Sequence, residues 1–174
     1  VIGIDASTNS IAWCVMEDMK PKKWGEIHFD GSDVYERILD AKKKIKAFKA
    51  ILDYDFVVME AAISVKSVQT GIKMAYVFGA IMGELLSDNI KVVEVHPITW
   101  QSYIGNKNFT KAQKLAVKNE FPGKSENWYR AKIREIRKGK TISFARSLGI
   151  ETESDNVADA VGIAWYAINE VVRK

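Results

Sequence analysis

Phe56 to Met59 (FVVM) is a short, unbroken apolar run. Such a run reads as a strand covered on both faces, not one half open to water. That requirement dictates a sheet with helices on both sides, and the rest of the chain can supply them. Val1 to Ala6 (VIGIDA) is a second apolar, β-branched strand. The turn cluster Ser7-Thr8-Asn9-Ser10 follows it, and Ile11 to Glu17 returns as a hairpin partner. A third strand is expected over Trp24 to Phe29, after Pro21 and a lysine pair. Ser32 or Asp33 can cap a helix running to about Leu52, with Val34, Ile38, Ile45, Phe48, Ile51 and Leu52 at helical spacing. Lys42, Lys43, Lys44, Lys46 and Lys49 cover its other sides as a solvated face.

After Phe56–Met59 the order alternates. A helix is expected from about Val68 to Leu86, then a fifth strand at Lys91 to Val95, closed by His96-Pro97. Thr110 can cap a helix from Lys111 to about Glu120, and Pro122-Gly123 breaks the chain. Lys124 to Lys138 is helix-prone and basic, and Ser154 or Asp155 caps a final helix reaching Val172. The pattern predicts an α/β protein with a five-stranded mixed sheet, the first three strands antiparallel and the last two parallel, flanked by helices. The 174 residues contain no internal repeat or long linker, so one domain spanning 1–174 is expected. The single cysteine, Cys14, excludes an internal disulfide and suits a reducing compartment, so a cytoplasmic location is expected. No basic leader precedes the first strand, and no apolar run is long enough to span a membrane.

Three carboxylates stand among core residues. Asp5 ends the first strand, Glu60 ends the fourth and is followed by Ala61-Ala62, and Asp159 lies near the start of the apolar last helix. A lone carboxylate in such surroundings is costly unless it is paired, hydrogen-bonded or bound to a cation. Asp155 lies one turn before Asp159 and can face the same side. Four oxygen-ligand acids of this kind favour Mg²⁺ or Mn²⁺, two ions per site, and phosphodiester hydrolysis. A plainer set of roles is a helix cap for Asp155, a loop charge for Glu60 and an ion pair for Asp5. His28 and His96 read as structural, and the chain has no phosphate-binding Gly-Lys-Ser/Thr loop, no GxSxG and no CxxC.

The order of these motifs resembles the RuvC-type Holliday junction resolvases of the RNase H-like superfamily. Val1 to Val15 is similar to their first motif, and to the opening of the RuvC-like domain of RNA-guided CRISPR nucleases. Met59-Glu60, with Ile63, Lys66, Ser67, the Gly71-to-Ala75 stretch and Gly79, resembles the second motif. Pro97, Gly105, Lys111 and Gln113 are similar to the third region, and Asp159-Ala160 to the last. The resemblance implies that Asp5, Glu60 and Asp159 are catalytic metal ligands. It departs at the fourth acid. The family places an acid or histidine three residues before the last aspartate, where this chain has Asn156. Asp155, one position earlier, is the favoured substitute, with the Asn156 amide oxygen or a water as alternatives. Ile63 falls where an aromatic wedge often enters the junction.

From Lys124 to Arg146 there are eight basic residues and two acids. Relative to cellular RuvC, this segment resembles a basic helical insertion at about 122–148, as in phage or viral forms, which would make the location a host-cell cytoplasm. Arg130, Arg134, Arg137, Lys138 and Lys140 are DNA-binding candidates there, with Ile63, Lys66, Lys73, Lys107 and Lys111 nearer the acids. The helix over Met74 to Leu86 is apolar nearly all round, so it needs cover on more than one side. That cover is either a second copy in a two-fold homodimer or the chain's own last helix, through Ala164, Trp165 and Ile168. The expected activity is a Holliday-junction endonuclease acting on branched DNA. A nuclease for RNA–DNA hybrids and a non-catalytic binder of branched nucleic acid are the alternatives.

Overall fold

The structure is a computed structural model and describes residues 1–52, 54–61, 67–86 and 90–172. Its sheet has five strands in the order β3-β2-β1-β4-β5. β1 (Ile2–Ala6), β2 (Ser10–Glu17) and β3 (Lys20–His28) form an antiparallel meander. β4 (Phe56–Glu60) pairs parallel to β1, and β5 (Lys91–Val95) pairs parallel to β4. The helices among the described residues are α1 (Val34–Ile51), α2 (Val68–Leu85), α3 (Pro97–Tyr103), α4 (Lys111–Glu120), α5 (Glu126–Ser147) and α6 (Asp155–Glu170). The mixed sheet and its flanking helices agree with the fold class expected from the sequence.

Side-chain alternation divides the molecule into two layers. Ile2, Ile4, Ile11, Val57 and Met59 point to one face and pack with Ala41, Ile45 and Phe48 of α1 and Val77, Ile81 and Leu85 of α2. Their strand neighbours point the other way. Ala12, Cys14 and Met16 pack on Val157, Ala160, Val161 and Ala164 of α6, with Ala145 of α5 behind them. Val58 and Val95 meet Trp100 of α3 and Ile163 and Ala167 of α6. The fully apolar β4 is therefore covered on both sides, as its composition requires. Cys14 is buried, as a small hydrophobe would be.

Four details differ from the sequence reading. β3 begins at Lys20, not Trp24: Asp18 and Met19 take positive φ in the tight turn after β2. Pro21 is accommodated because β3 is an edge strand, at a register shift beside Met16. The segment after His96-Pro97 is a helix, α3, with Pro97 in its first turn. The basic segment is one 22-residue helix running on to Ser147. Nor does α6 cover α2, since the two lie on opposite faces of the sheet. Ile72, Tyr76 and Leu86 stay exposed along the α2 segment.

α6 lies directly on β1 at Gly3. A Cβ there would come within 2.4 Å of the Ala164 nitrogen and 2.6 Å of the Ala160 oxygen, both backbone atoms that have little freedom to yield. Gly79, by contrast, has nothing within 4 Å of its Cβ position. The two glycines predict opposite signs. Gly3→Ala should destabilise by about 3 kcal/mol by overpacking, whereas Gly79→Ala should stabilise by up to about 1 kcal/mol. Urea unfolding of the two variants checks this, and a stable Gly3→Ala protein would contradict the close approach.

Candidate active site

β1 and β4 lie side by side with Ile4 opposite Met59, so the next residue on each, Asp5 and Glu60, emerges at the carboxyl edge of the sheet. Asp5 alternates with Gly3 and Glu60 with Val58, which turns both toward α6. The Ser154 hydroxyl starts α6 by accepting from the Val157 backbone N–H. Asp155 and Asp159 then stand one turn apart. All four acids line one cavity of about 720 Å³. The carboxyl ends of parallel strands are where open α/β sheets place ligands.

Burial first, then the charges of Asp159, Glu60 and Asp155, pushes the Asp5 carboxyl up to about 8. Asp159 is pushed up to about 7, again by burial first and then by Glu60 and Asp155, while a Thr141 hydrogen bond and Lys138 act the other way. Burial also raises Glu60, offset by the Trp100 indole and by His96. Trp100 is fully buried and donates its Nε1–H to Glu60 Oε2 at 2.8 Å. Its ring occupies the space a Cβ on Gly162 would need, 2.6 Å away, so Gly162 admits the ring that orients Glu60. His96 caps α3 by accepting from the Ile98 backbone at 3.3 Å, and it also lines the cavity.

One face of α5 forms the opposite wall. Arg130, Ile133, Arg134, Arg137, Lys138 and Thr141 follow helical spacing along it. Lys138 forms an ion pair with Asp155. Arg137 donates to the Gln101 side chain and to the Asn106 side-chain and backbone oxygens, so it holds the loop after α3 against α5. Asn106 is itself buried and donates to Thr141 at 2.9 Å.

The remaining sequence candidates are spread out. Lys107 and Lys111 are exposed, and Lys111 lies with Arg130 in a groove between α4 and α5. Lys140 stacks over Phe109 at 5.1 Å, outside the acidic cavity. Lys73 is exposed on α2, across the sheet, and does not line the cavity. Ile63 and Lys66 lie outside the described residues. Sequence reasoning missed Glu26 on β3, whose side chain accepts from Asn156 and Ser154. It also missed Trp100, although Pro97 and Gly105 bracket its helix as start and stop signals.

The donor set suits a hard divalent cation: partly buried oxygen ligands that repel one another, of which Asp155 is paired with Lys138. Among the described residues, no three Asp, Glu, His or Cys side chains already converge on one point. Asp5, Glu60, Asp155 and Asp159 nonetheless line the same cavity. Binding an ion therefore entails side-chain rotation, above all of Asp155 away from Lys138.

No family model and no curated protein matches the sequence. Solved structures do match the fold. RuvC of T. thermophilus in complex with a Holliday junction substrate is similar over 96% of this chain and 91% of that one, with a TM-score of 0.67 and 14% identity. Another Thermus thermophilus RuvC structure matches over 97% and 96%, with a TM-score of 0.65 and 13% identity. The fold is thus RuvC-like, of the RNase H-like type.

The raised carboxyls predict a pH effect. In the unfolded chain these acids ionise near 4, at about their ordinary values. Between there and 7 to 8 the folded protein holds more protons, so its stability falls as pH rises. In a chelating buffer, Asp5→Asn should therefore gain on the order of 1–3 kcal/mol over the parent at pH 8 and little at pH 4. Thermal unfolding across that range measures it, and a variant less stable than the parent at pH 8 would refute the repulsion.

Proposed function

We propose that this chain is a metal-dependent endodeoxyribonuclease that cuts four-way junctions, and other branched DNA, by phosphodiester hydrolysis. The observation that carries this reading is the shared cavity: partly buried carboxylates from β1, β4 and α6 facing the basic wall of α5. Asp5, Glu60 and Asp159, with Asp155 once it leaves Lys138, would hold Mg²⁺ or Mn²⁺. When bound, two such ions supply an activated water and stabilise the leaving oxygen.

The protein's own groups do the rest. Trp100 keeps one Glu60 oxygen directed. Arg130 and Arg134 are exposed at the cavity wall and would contact phosphates on either side of the cut. Lys138, released from Asp155, would add a third positive charge. Lys107 before α4, Lys111 on α4 and Lys140 on α5 extend the basic surface, and the sequence resemblance adds Ile63, Lys66 and Lys73 to the proposed DNA contacts. Arg137 is committed to Gln101 and Asn106 and would contribute charge more than contact.

The exposed α2 stripe of Ile72, Tyr76, Gly79 and Gly83 would serve a two-fold dimer, whose two sites suit paired nicks in a symmetric junction. Among the described residues, no helix is long and apolar enough to cross a membrane. A reducing cytoplasm, of a host cell for a phage protein, completes the proposal.

Cleavage of a labelled synthetic four-way junction with Mg²⁺ or Mn²⁺ tests it. The parent should give symmetric paired nicks. Glu60→Gln should bind the junction but cut it at least about 100-fold more slowly, the cost of losing several kcal/mol of charge stabilisation. Faster cutting of an RNA–DNA hybrid would reassign the substrate, and tight binding without cutting by the parent would make the protein a non-catalytic binder. A companion measurement addresses the basic wall. Arg134→Ala should weaken junction binding and reduce the slope of log affinity against log salt by about 0.9. An unchanged slope would remove Arg134 from the phosphate contacts.

A further inference from the structure

The sheet places an additional acid on the catalytic face. In the register, Asp5 lies opposite Ala12, and Ala12 lies opposite Glu26. The three side chains therefore share a face, and Glu26 stands two strand spacings, about 10 Å, from Asp5 along the row. Ala12 is small and buried between them, leaving room above it for the start of α6. Glu26 is 17% exposed, and both of its oxygens are engaged by that helix start. Oε1 accepts from Asn156 Nδ2 at 2.9 Å, and Oε2 accepts from the capping Ser154 hydroxyl at 3.2 Å. The basic side chain nearest to it in the salt-bridge geometry among the described residues is the exposed His28, whose Nε2 is 4.0 Å from Oε1.

Chemistry determines which way the Asn156 amide is turned. A carboxylate only accepts, so it must face the amide's NH₂, because the reverse orientation would set two acceptors against each other. Asn156 lines the acidic cavity, and with Nδ2 committed to Glu26, Oδ1 is its free end. An aspartate at 156 would instead bring two carboxylates to about hydrogen-bond distance without a shared donor.

We propose that Glu26 is a positioning residue, which ties the start of α6 to the sheet edge, turns Asn156 so that its carbonyl oxygen serves the metal cavity, and makes asparagine the residue that position 156 accepts. The ligand role of Oδ1 rests on the metal-nuclease reading above. The pairing of Glu26 with Asn156 does not.

A double-mutant cycle in chelating buffer at one neutral pH tests the pairing without any metal. Asn156→Asp should lower the melting temperature by about 5 °C. Glu26→Gln, which can still accept from Asn156, should change it little. The double variant should recover most of the loss, because the amide introduced on β3 can donate to the carboxylate introduced on α6. Additive effects would overturn the pairing.

Titration with Mg²⁺ then reads the Asn156 side-chain amide by NMR. The parent signal should shift with the ion, and Glu26→Ala should weaken Mg²⁺ binding roughly tenfold, whereas Glu26→Gln should restore it. An ion that raises the parent's melting temperature but leaves that amide unmoved would overturn the Oδ1 role. An ion with no effect on the parent would sink the metal reading and the Oδ1 role with it, while the cycle still decides the pairing.

Discussion

The contact between the α6 backbone and β1 sets the position of everything else at the carboxyl edge of the sheet, where the acids stand. Only a glycine at position 3 lets Ala160 and Ala164 approach the strand so closely. The buried side of α6 is built from small residues for the same reason, with Ala158, Ala160, Ala164 and Ala167 fully enclosed. With the helix that low, Asp159 comes to Asp5 and Glu60 within electrostatic reach. A helix one side chain higher would leave these acids apart and solvated. Gly162 repeats the device at α3, where it makes room for Trp100 and so for the hydrogen bond that directs Glu60.

Close approach concentrates charge, and the molecule carries the consequence openly. Asp5 and Asp159 hold protons up to near neutral pH, and ionising them costs stability. α5 offsets only part of it. Lys138 reaches Asp155, whereas Arg137 is turned to Gln101 and Asn106, and Arg130 and Arg134 remain exposed. A wall that leaves its guanidinium groups facing outward instead of quenching the acids is suited to an anion arriving from solvent.

The layered fold, the two strand-end acids and the acid on the last helix were legible in the sequence because each follows from local pattern. Apolar runs ended on Asp5 and Glu60, and Asp159 interrupted an otherwise apolar helix. What escaped notice depended on register or on contacts between distant segments. Glu26 reads as an ordinary strand carboxylate until the hairpin pairs it with Ala12, and the position of that hairpin turn was missed because Met19, beside Asp18, is not a residue that usually takes positive φ. Trp100 was hidden inside a seven-residue helix too short to show periodicity. Arg137 and Arg134 look alike in sequence, and only the fold shows one bonded inward and the other free to face a ligand.

The two faces of the sheet also divide two kinds of work. The α6 face is closed by polar and charged groups that converge from β1, β4, α3, α5 and α6 on one cavity. The α1–α2 face contributes no lining residue to that cavity and is held by aliphatic packing, and α2 keeps Ile72, Tyr76, Gly79 and Gly83 on its outer side. An exposed stripe of that kind on a helix otherwise packed against α1 is poorly explained by the stability of a lone chain, since its glycines cost helix propensity and touch nothing. Close approach by a second backbone would account for both the glycines and the apolar side chains. Because the stripe and the cavity lie on opposite sides of the sheet, such an association would leave each cavity open to its substrate.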